Sequence, residues 1–252
     1  AHHQGGDGGD AGRLMLSAFL WGGLAAASLL IGFALAGRGL SNRTIGLVMG
    51  VGAGALISAI AYELVPDEAV MGLRTAAAMA AGALAFFAGD WLVHRGGRRH
   101  RQGIAGEANV SGPAIFIGTL LDNVPESIIL GMSLALGGAI NAAFLAAVFV
   151  SNLPEGVAGS INLRAAGVAS RRVFWMWTAL VFLSAASAAL GYAMVVALPA
   201  VDGRAAQAFA AGAMLAMLAD AMMPEAFEHG GKLVGLFTVF GFIAAAMLSF
   251  MA

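Results

Sequence analysis

Eight long apolar segments, each about the length that crosses a bilayer, make up most of this 252-residue sequence. They lie at approximately 14–36, 44–66, 73–94, 113–136, 141–162, 173–197, 205–226 and 232–251. Backbone polar groups cannot remain unpaired in lipid, so segments of this kind must be helical. The sequence therefore predicts an all-α, polytopic membrane protein with eight transmembrane helices.

Composition supports a single membrane domain over residues 14–252. Hydrophobic residues make up 60% of the chain and charged residues 11%, whereas soluble domains carry about 25% charge. Residues 1–13 are expected to be a disordered or appended N-terminus. The absence of cysteine excludes a disulfide framework and a thiolate metal site. The net charge of −1 argues against nucleic acid as a partner.

The distribution of positive charge predicts the orientation in the membrane. Arg13, Arg74 and Arg204 would lie on one side, and the other ten of the 13 Lys and Arg residues on the opposite side, several of them in a basic loop at about 95–112. Cytoplasmic loops carry the excess of positive charge. Both termini are therefore expected outside, with the chain in the plasma membrane of a bacterium and in contact with the lipid bilayer; a homodimer is left open.

An internal repeat relates two of the segments. Residues 54–69, GALISAIAYELVPDEA, align without gaps to residues 212–227, GAMLAMLADAMMPEAF, with Gly54 at Gly212 and Pro66 at Pro224. Segments 2 and 7 run in opposite directions, so the repeat would be inverted, an arrangement typical of transporters. Similar Gly and Ala content alone remains the alternative explanation.

Two matching polar motifs interrupt the fourth and fifth segments near mid-span. DNVPES and SNLPEG begin at residues 122 and 151 and place carboxylates where their insertion costs about 2.5–3.5 kcal/mol each. In each motif the first residue and the glutamate are spaced i, i+4 and share a helix face. The candidate metal ligands in these motifs are Asp122, Asn123, Glu126, Ser151, Asn152 and Glu155.

No cationic side chain is expected at the depth of these carboxylates. The five histidines, for example, lie at positions 2, 3, 94, 100 and 229. Bound cations or protons must then balance the charge. Pro125 and Pro154 also free the backbone carbonyls four residues earlier, and such oxygens suit a divalent metal. A lone Ser on a membrane helix is as often an interhelical hydrogen-bonding residue, and that alternative remains for Ser151.

The other acidic residues are ranked by their depth in the segments. Asp220 is expected to line the site, and Glu63 to coordinate metal or line its entrance. The residues expected at an entrance or exit are Asp67, Glu68, Asp90, His94, Glu225, Glu228 and His229. A solvated rim, or pairing with nearby arginines, explains this second set equally well.

The paired motifs, the eight segments and the basic loop resemble the ZIP family, the zinc/iron-regulated transporter-like proteins. Their motifs read roughly His-Asn-x-Pro-Glu-Gly and Gln/Glu-Asp/Asn-x-Pro-Glu-Gly. The resemblance implies a two-metal site between helices 4 and 5, with helices 1–3 and 6–8 as inverted repeats. It also implies that divalent metal moves into the cytoplasm by a rocking motion of one helix bundle against the other.

The chain departs from the family pattern at several ligand positions. Asp122 stands in place of His, and Ser151 in place of Gln or Glu. In segment 7, Asp220 and Ala221 stand in place of His-Glu, and Glu63 is a candidate for the missing carboxylate. An all-oxygen site weakens the case for Zn²⁺ and strengthens that for Mn²⁺, Fe²⁺ or even Mg²⁺.

The sequence thus favours a divalent metal cation transporter with no enzymatic reaction, whose substrate is Zn, Mn or Fe. The first alternative is a proton or cation channel that uses the same carboxylates as a relay. A non-transporting metal-binding membrane protein is the second. An intramembrane hydrolase would also use two carboxylates, but it usually requires aspartates.

Overall fold

The computed structural model describes residues 7–65, 72–94, 112–137, 139–197 and 203–251. Within these ranges the chain is helical apart from short connections and contains no strand. The helices are α1 Asp7–Ala36, α2 Asn42–Ala59, α3 Leu73–His94, α4 Gly112–Gly137, α5 Ala142–Ala165, α6 Ser170–Ala197, α7 Gly203–Met217, α8 Met223–Gly230 and α9 Val234–Met251. The prediction of an all-α chain is confirmed for this part of the molecule.

Seven helical stretches among the described residues are long and apolar enough to cross a membrane. Six of them are single helices or a helix with its extension: Ala11–Ala36, Asn42–Leu64, Leu73–Leu92, Ile115–Gly137, Ala142–Ala165 and Ser170–Ala197. The seventh, Gly203–Met251, is 49 residues long and contains α7, α8 and α9. The described helices are therefore consistent with a multi-pass membrane protein, with seven such stretches where eight segments were predicted.

The helix ends follow local chemistry. Ser41 caps α2 by accepting a hydrogen bond from the Thr44 N–H at 3.1 Å, and Asn141 caps α5 by accepting one from the Phe144 N–H at 2.8 Å. α1 begins at Asp7, earlier than the start expected at residue 14. The basic loop at about 95–112 lies outside the described residues except for Gly112, which begins α4.

We divide the helices into two groups by their contacts and by chain continuity, since residues 218–222 join α7 directly to α8. In the first group α1 packs against α5 and α6, and α4 packs against α6. In the second group α2 packs against α9 and α8, and α3 packs against α7. The groups meet mainly where α2 contacts α5, with smaller contacts of α4 with α7 and of α5 with α9.

Glycines allow the closest helix contacts. A Cβ on Gly54 of α2 would overlap the Thr238 carbonyl of α9, and a Cβ on Gly212 of α7 would overlap the Met79 carbonyl of α3. Small residues at such positions let membrane helices approach closely. The aligned glycines of the internal repeat thus lie at the closest contacts of the two principal helix pairs of the second group.

Two π-helical segments extend α2 and α7. They are Ile60–Leu64 and Leu218–Met222, and the alignment of Gly54 with Gly212 places one on the other. π-segments widen a helix locally and are frequent at functional sites. Pro224 then enters the first turn of α8, where a missing N–H is tolerated. Pro66 lies outside the described residues.

Gly54→Ala is expected to destabilise the protein by about 1–3 kcal/mol, because the added methyl group overpacks the contact between α2 and α9. The apparent melting temperature of the purified protein in detergent measures the effect. Gly89→Ala is the matched control, since a Cβ there meets no atom within 4 Å. Equal melting temperatures for both variants would contradict the close contact.

Candidate metal site

Two asparagines join α4 to α5 at the centre of the first group. Asn123 and Asn152 are each 1% exposed, and the Asn152 side-chain amide donates to Asn123 Oδ1 at 3.0 Å. Asn123 in turn donates to the Thr119 carbonyl at 3.0 Å. Because a carbonyl only accepts, these two bonds fix the orientation of both amides. Asn152 Oδ1 consequently faces away from Asn123.

Four oxygen atoms around this bridge are buried without a hydrogen-bond donor among the described residues. They are Asn152 Oδ1, Glu126 Oε2, Glu155 Oε2 and Glu225 Oε1. Each unpaired acceptor in a dry environment costs free energy comparable to a lost hydrogen bond. The four atoms come from α4, α5 and α8. Each of them can accept a hydrogen bond or coordinate a cation.

Three of the carboxylates line one small cavity. Its walls consist of three acids, three methionines and one alanine: Asp122, Glu155, Glu225, Met49, Met217, Met222 and Ala221. The cavity measures about 20 Å³, which is room for about one water-sized occupant. α4 and α5 of the first group and α2, α7 and α8 of the second group, with the second π-segment, thus all contribute to it.

The acidic side chains are close enough to repel one another. The Glu155 carboxylate lies near those of Asp122, Glu126 and Glu225, and Asp122 lies near Asp90. Arg164 of α5 lies over the ring of Phe33, 4.9 Å from its centroid. Among the described residues, the structure records no salt bridge between a basic side chain and Asp122, Glu126, Glu155 or Glu225. Several like charges could not remain ionised together here without an external cation.

No group of three or more His, Cys, Asp or Glu side chains in the described ranges is arranged to hold one metal ion by itself. An ion at the cavity would therefore need other oxygens in addition to the carboxylates. Oxygens of that kind on the same helices are the Asn152 amide oxygen and the Leu121 and Val150 carbonyls that Pro125 and Pro154 leave free, although none of these three oxygens belongs to a residue that lines the cavity.

A series of contacts beside Glu155 fixes the position of α5. Trp177 of α6 donates to Ser160 Oγ at 2.8 Å, and Ser160 donates to the Gly156 carbonyl at 2.5 Å. Trp177 is fully buried. Gly156 itself lies against the backbone of Leu29 in α1. The residue after Glu155 is thus held by two neighbouring helices.

Glu63 lies in a different cavity. Its two carboxylate oxygens accept hydrogen bonds from Asn141 and Ser249, and the surrounding cavity of about 400 Å³ also includes Ser133 and Gln207. Along α5, Asn141 and Glu155 are about 20 Å apart at the helical rise of about 1.5 Å per residue. Glu63 therefore does not share the small cavity in this structure.

An apolar cluster lies between the two cavities. Its buried members include Leu56 of α2, Ile60 of the π-segment that follows, Leu130 of α4, Phe144 of α5 and Leu218 after α7. On α2 and its π-segment, for example, Leu56 and Ile60 fall between Met49 of the small cavity and Glu63 of the large one. Buried apolar residues thus separate Glu63 from the small cavity along this helix.

The remaining predicted residues occupy varied positions. Ser151 is fully buried and donates to the Val148 carbonyl at 2.9 Å. Asp220 and Glu228 are exposed, and Asp90 and His229 are partly buried. His94 ends α3, and Asp67 and Glu68 lie outside the described residues. The structure brings together Asp122, Asn123, Glu126, Asn152 and Glu155 from the predicted ligand set.

Glu225 was predicted at an entrance or exit, and the methionines were not singled out. The structure buries Glu225 to 7% exposure, one helical turn after Ala221 on the wall of the small cavity. One signal was present in the sequence: Pro224-Glu225 is a third Pro-Glu pair, after those of α4 and α5. Met49, Met217 and Met222 carried no comparable pattern.

Comparisons with known proteins add no further assignment. A scan against protein-family models finds no match, and a search among curated proteins finds none.

Asn123→Leu is expected to destabilise the protein, because it leaves the buried Asn152 amide without its acceptor. The coupling between Asn123 and Asn152 should be about 0.6–2 kcal/mol, the range for hydrogen bonds between membrane helices. Melting of Asn123→Leu, Asn152→Leu and the double variant forms a cycle that measures it. Strictly additive losses would contradict the bridge.

Proposed function

We propose that this protein is a divalent metal cation transporter with ZIP-like architecture, for which the metal is the substrate. The observation that carries the proposal is the set of four buried oxygens without a donor on α4, α5 and α8. Carboxylate and amide oxygens are suitable ligands for divalent cations such as Mn²⁺ and Fe²⁺. Asp122 and Glu155, which line the small cavity, are the first ligands we assign, with Glu126 and Asn152 of the same motifs as further ligands and Asn123 orienting Asn152.

Asn152 Oδ1 is buried without a hydrogen-bond donor among the described residues. A bound cation would satisfy this oxygen, and so would the O–H of a protonated neighbouring acid. The metal dependence of transport therefore separates a metal carrier from a proton relay.

The dimensions and walls of the cavity bear on which ion is carried. An occupant of about 20 Å³ must lose most of its hydration shell. Mg²⁺ dehydrates reluctantly and usually keeps several waters, which disfavours it. The thioether walls from Met49, Met217 and Met222 also suit softer ions. We therefore place Zn²⁺, Fe²⁺ and Mn²⁺ ahead of Mg²⁺ as substrates.

The apolar cluster supports a carrier over an open channel. Leu56, Ile60 and Phe144 are at most 1% exposed and belong to the layer between the polar cavity and the carboxylates. A carrier exposes its site to one side at a time by moving one group of helices against the other. We propose that this layer closes the outer side and opens when the two groups move.

Three features support an inverted repeat of eight spans. The π-segments coincide under the alignment of Gly54 with Gly212. Under this repeat α1 corresponds to α6, α2 to α7, α3 to α9 and α4 to α5. The contact of α1 with α5 then corresponds to that of α6 with α4, and the contact of α2 with α9 to that of α7 with α3. Finally, Gly203–Met251 has 49 residues, about twice the length needed for one span. Gly231, with a φ of 66°, would mark the turn between spans seven and eight.

The same proposal includes the orientation predicted from positive charge. With both termini outside the plasma membrane, the Glu63 cavity would face outward and transport would run toward the cytoplasm. The rival function is a proton or cation relay through the same acids. A relay carries current without metal, whereas a carrier saturates with it.

Uptake of Zn²⁺, Mn²⁺, Fe²⁺, Cd²⁺ and Mg²⁺ into proteoliposomes tests the proposal. We expect saturable uptake of at least one of the first four ions and little uptake of Mg²⁺. Glu126→Ala/Glu155→Ala should abolish it, because the two carboxylates are ligands. Ser184→Ala serves as the control, since it also removes a buried oxygen without a donor, but on α6 and outside the cavity. Metal-independent proton current in the parent, without metal uptake, would favour the relay.

Metal uptake is expected to fall as the pH is lowered from about 7.5 to about 5, because carboxylate ligands must be deprotonated to bind metal. The initial rate at a subsaturating metal concentration measures this, with the pH kept equal on both sides of the membrane. A rate that does not change over this range would contradict a site dominated by carboxylates.

A further inference from the structure

We propose that Glu225 is a ligand of the transported ion, so that a bound ion joins the two helix groups. This inference rests on the proposed function and adds a residue and a mechanical consequence to it. Glu225 is 7% exposed and lines the small cavity together with Asp122 and Glu155. Its Oε1 has no hydrogen-bond donor among the described residues. A buried glutamate in this state is either a neutral acid or a ligand.

The local structure aims Glu225 at the cavity. Ala221 and Glu225 are four residues apart and both line it, as expected for one face of a helix. The π-segment Leu218–Met222 immediately precedes α8, and Pro224 begins that helix. Met222 of the same segment forms another part of the wall. The whole turn from the π-segment to Glu225 therefore encloses the site.

Asp122 and Glu155 belong to the first helix group, on α4 and α5, whereas Glu225 belongs to the second, on α8. An ion bound by Glu225 together with either of the other two acids is held from both sides only while the groups stay in contact here. A ligand stabilises the conformation to which it binds more tightly. Metal binding should therefore stabilise this arrangement, and release should require the loss of the Glu225 contact.

Metal binding to the purified protein is the first test. We expect Glu225→Gln to weaken Zn²⁺ binding at least about tenfold, since even groups that only support a ligand contribute about 10–100-fold. Calorimetric titration in lipid nanodiscs measures the dissociation constant, and Cd²⁺ gives a second probe. Two control variants should bind Zn²⁺ as the parent does. Lys232→Gln changes an exposed charge just after α8, and Ser58→Ala removes a buried oxygen without a donor from α2.

The second test measures the distance between the groups. The chain has no cysteine, so Phe182→Cys on α6 and Phe240→Cys on α9, both positions more than half exposed, accept spin labels specifically. Zn²⁺ should narrow the distance distribution in the parent background. With Glu225→Gln the distribution should stay broad at Zn²⁺ concentrations that saturate the variant.

The outcomes separate the inference from the proposed function. If Glu225→Gln binds Zn²⁺ as tightly as the parent while Glu155→Gln does not, the ion is held by α4 and α5 alone, and the inference fails without affecting transport. If the parent binds neither Zn²⁺ nor Cd²⁺, both fail. Should Glu225→Gln not fold, the spin-labelled parent still decides: a distribution that Zn²⁺ leaves unchanged overturns the inference.

Discussion

The central constraint on this molecule is the burial of several acidic side chains near the middle of a membrane protein. Each costs a few kcal/mol when it is inserted ionised into a bilayer, and the structure pairs none of Glu126, Glu155 and Glu225 with a basic side chain in the described ranges. The surrounding helices are arranged to tolerate this. Asn123 and Asn152 join α4 to α5, and Trp177 and Ser160 support the turn after Glu155.

The helix packing follows from the same need for closely spaced helices. Gly52 of α2 lies against Ser151, and Gly32 of α1 lies against Leu153 and Gly156. Any larger residue at these positions would push a neighbouring helix away from α5. The small side chains thus bring the helices of both groups around α5, which carries Glu155. They leave a cavity of about 20 Å³ beside it.

Much of the helical architecture could be predicted from the sequence. Segments of about 20 apolar residues can only be helices in a bilayer, and the structure describes helices at each predicted segment. The internal alignment of residues 54–69 with 212–227 also anticipated related positions, and both copies contain a π-segment. Helix breaks were harder to predict, because a π-segment depends on which neighbour its widened turn must contact and no composition rule specifies that.

The sequence by itself determined that the chain is helical, that it is suited to a membrane, and that Asp122, Asn123, Glu126, Asn152 and Glu155 form a polar centre on neighbouring helices. Repeated motifs encode these features locally. Only the tertiary structure decided which other acids lie beside that centre. Glu63 and Glu225 are both acids near a π-segment, yet Glu63 is hydrogen-bonded in a separate cavity and Glu225 lines the small one. The physical reason is that a side chain's neighbours across a helix interface depend on the crossing and rotation of whole helices, which no single segment encodes.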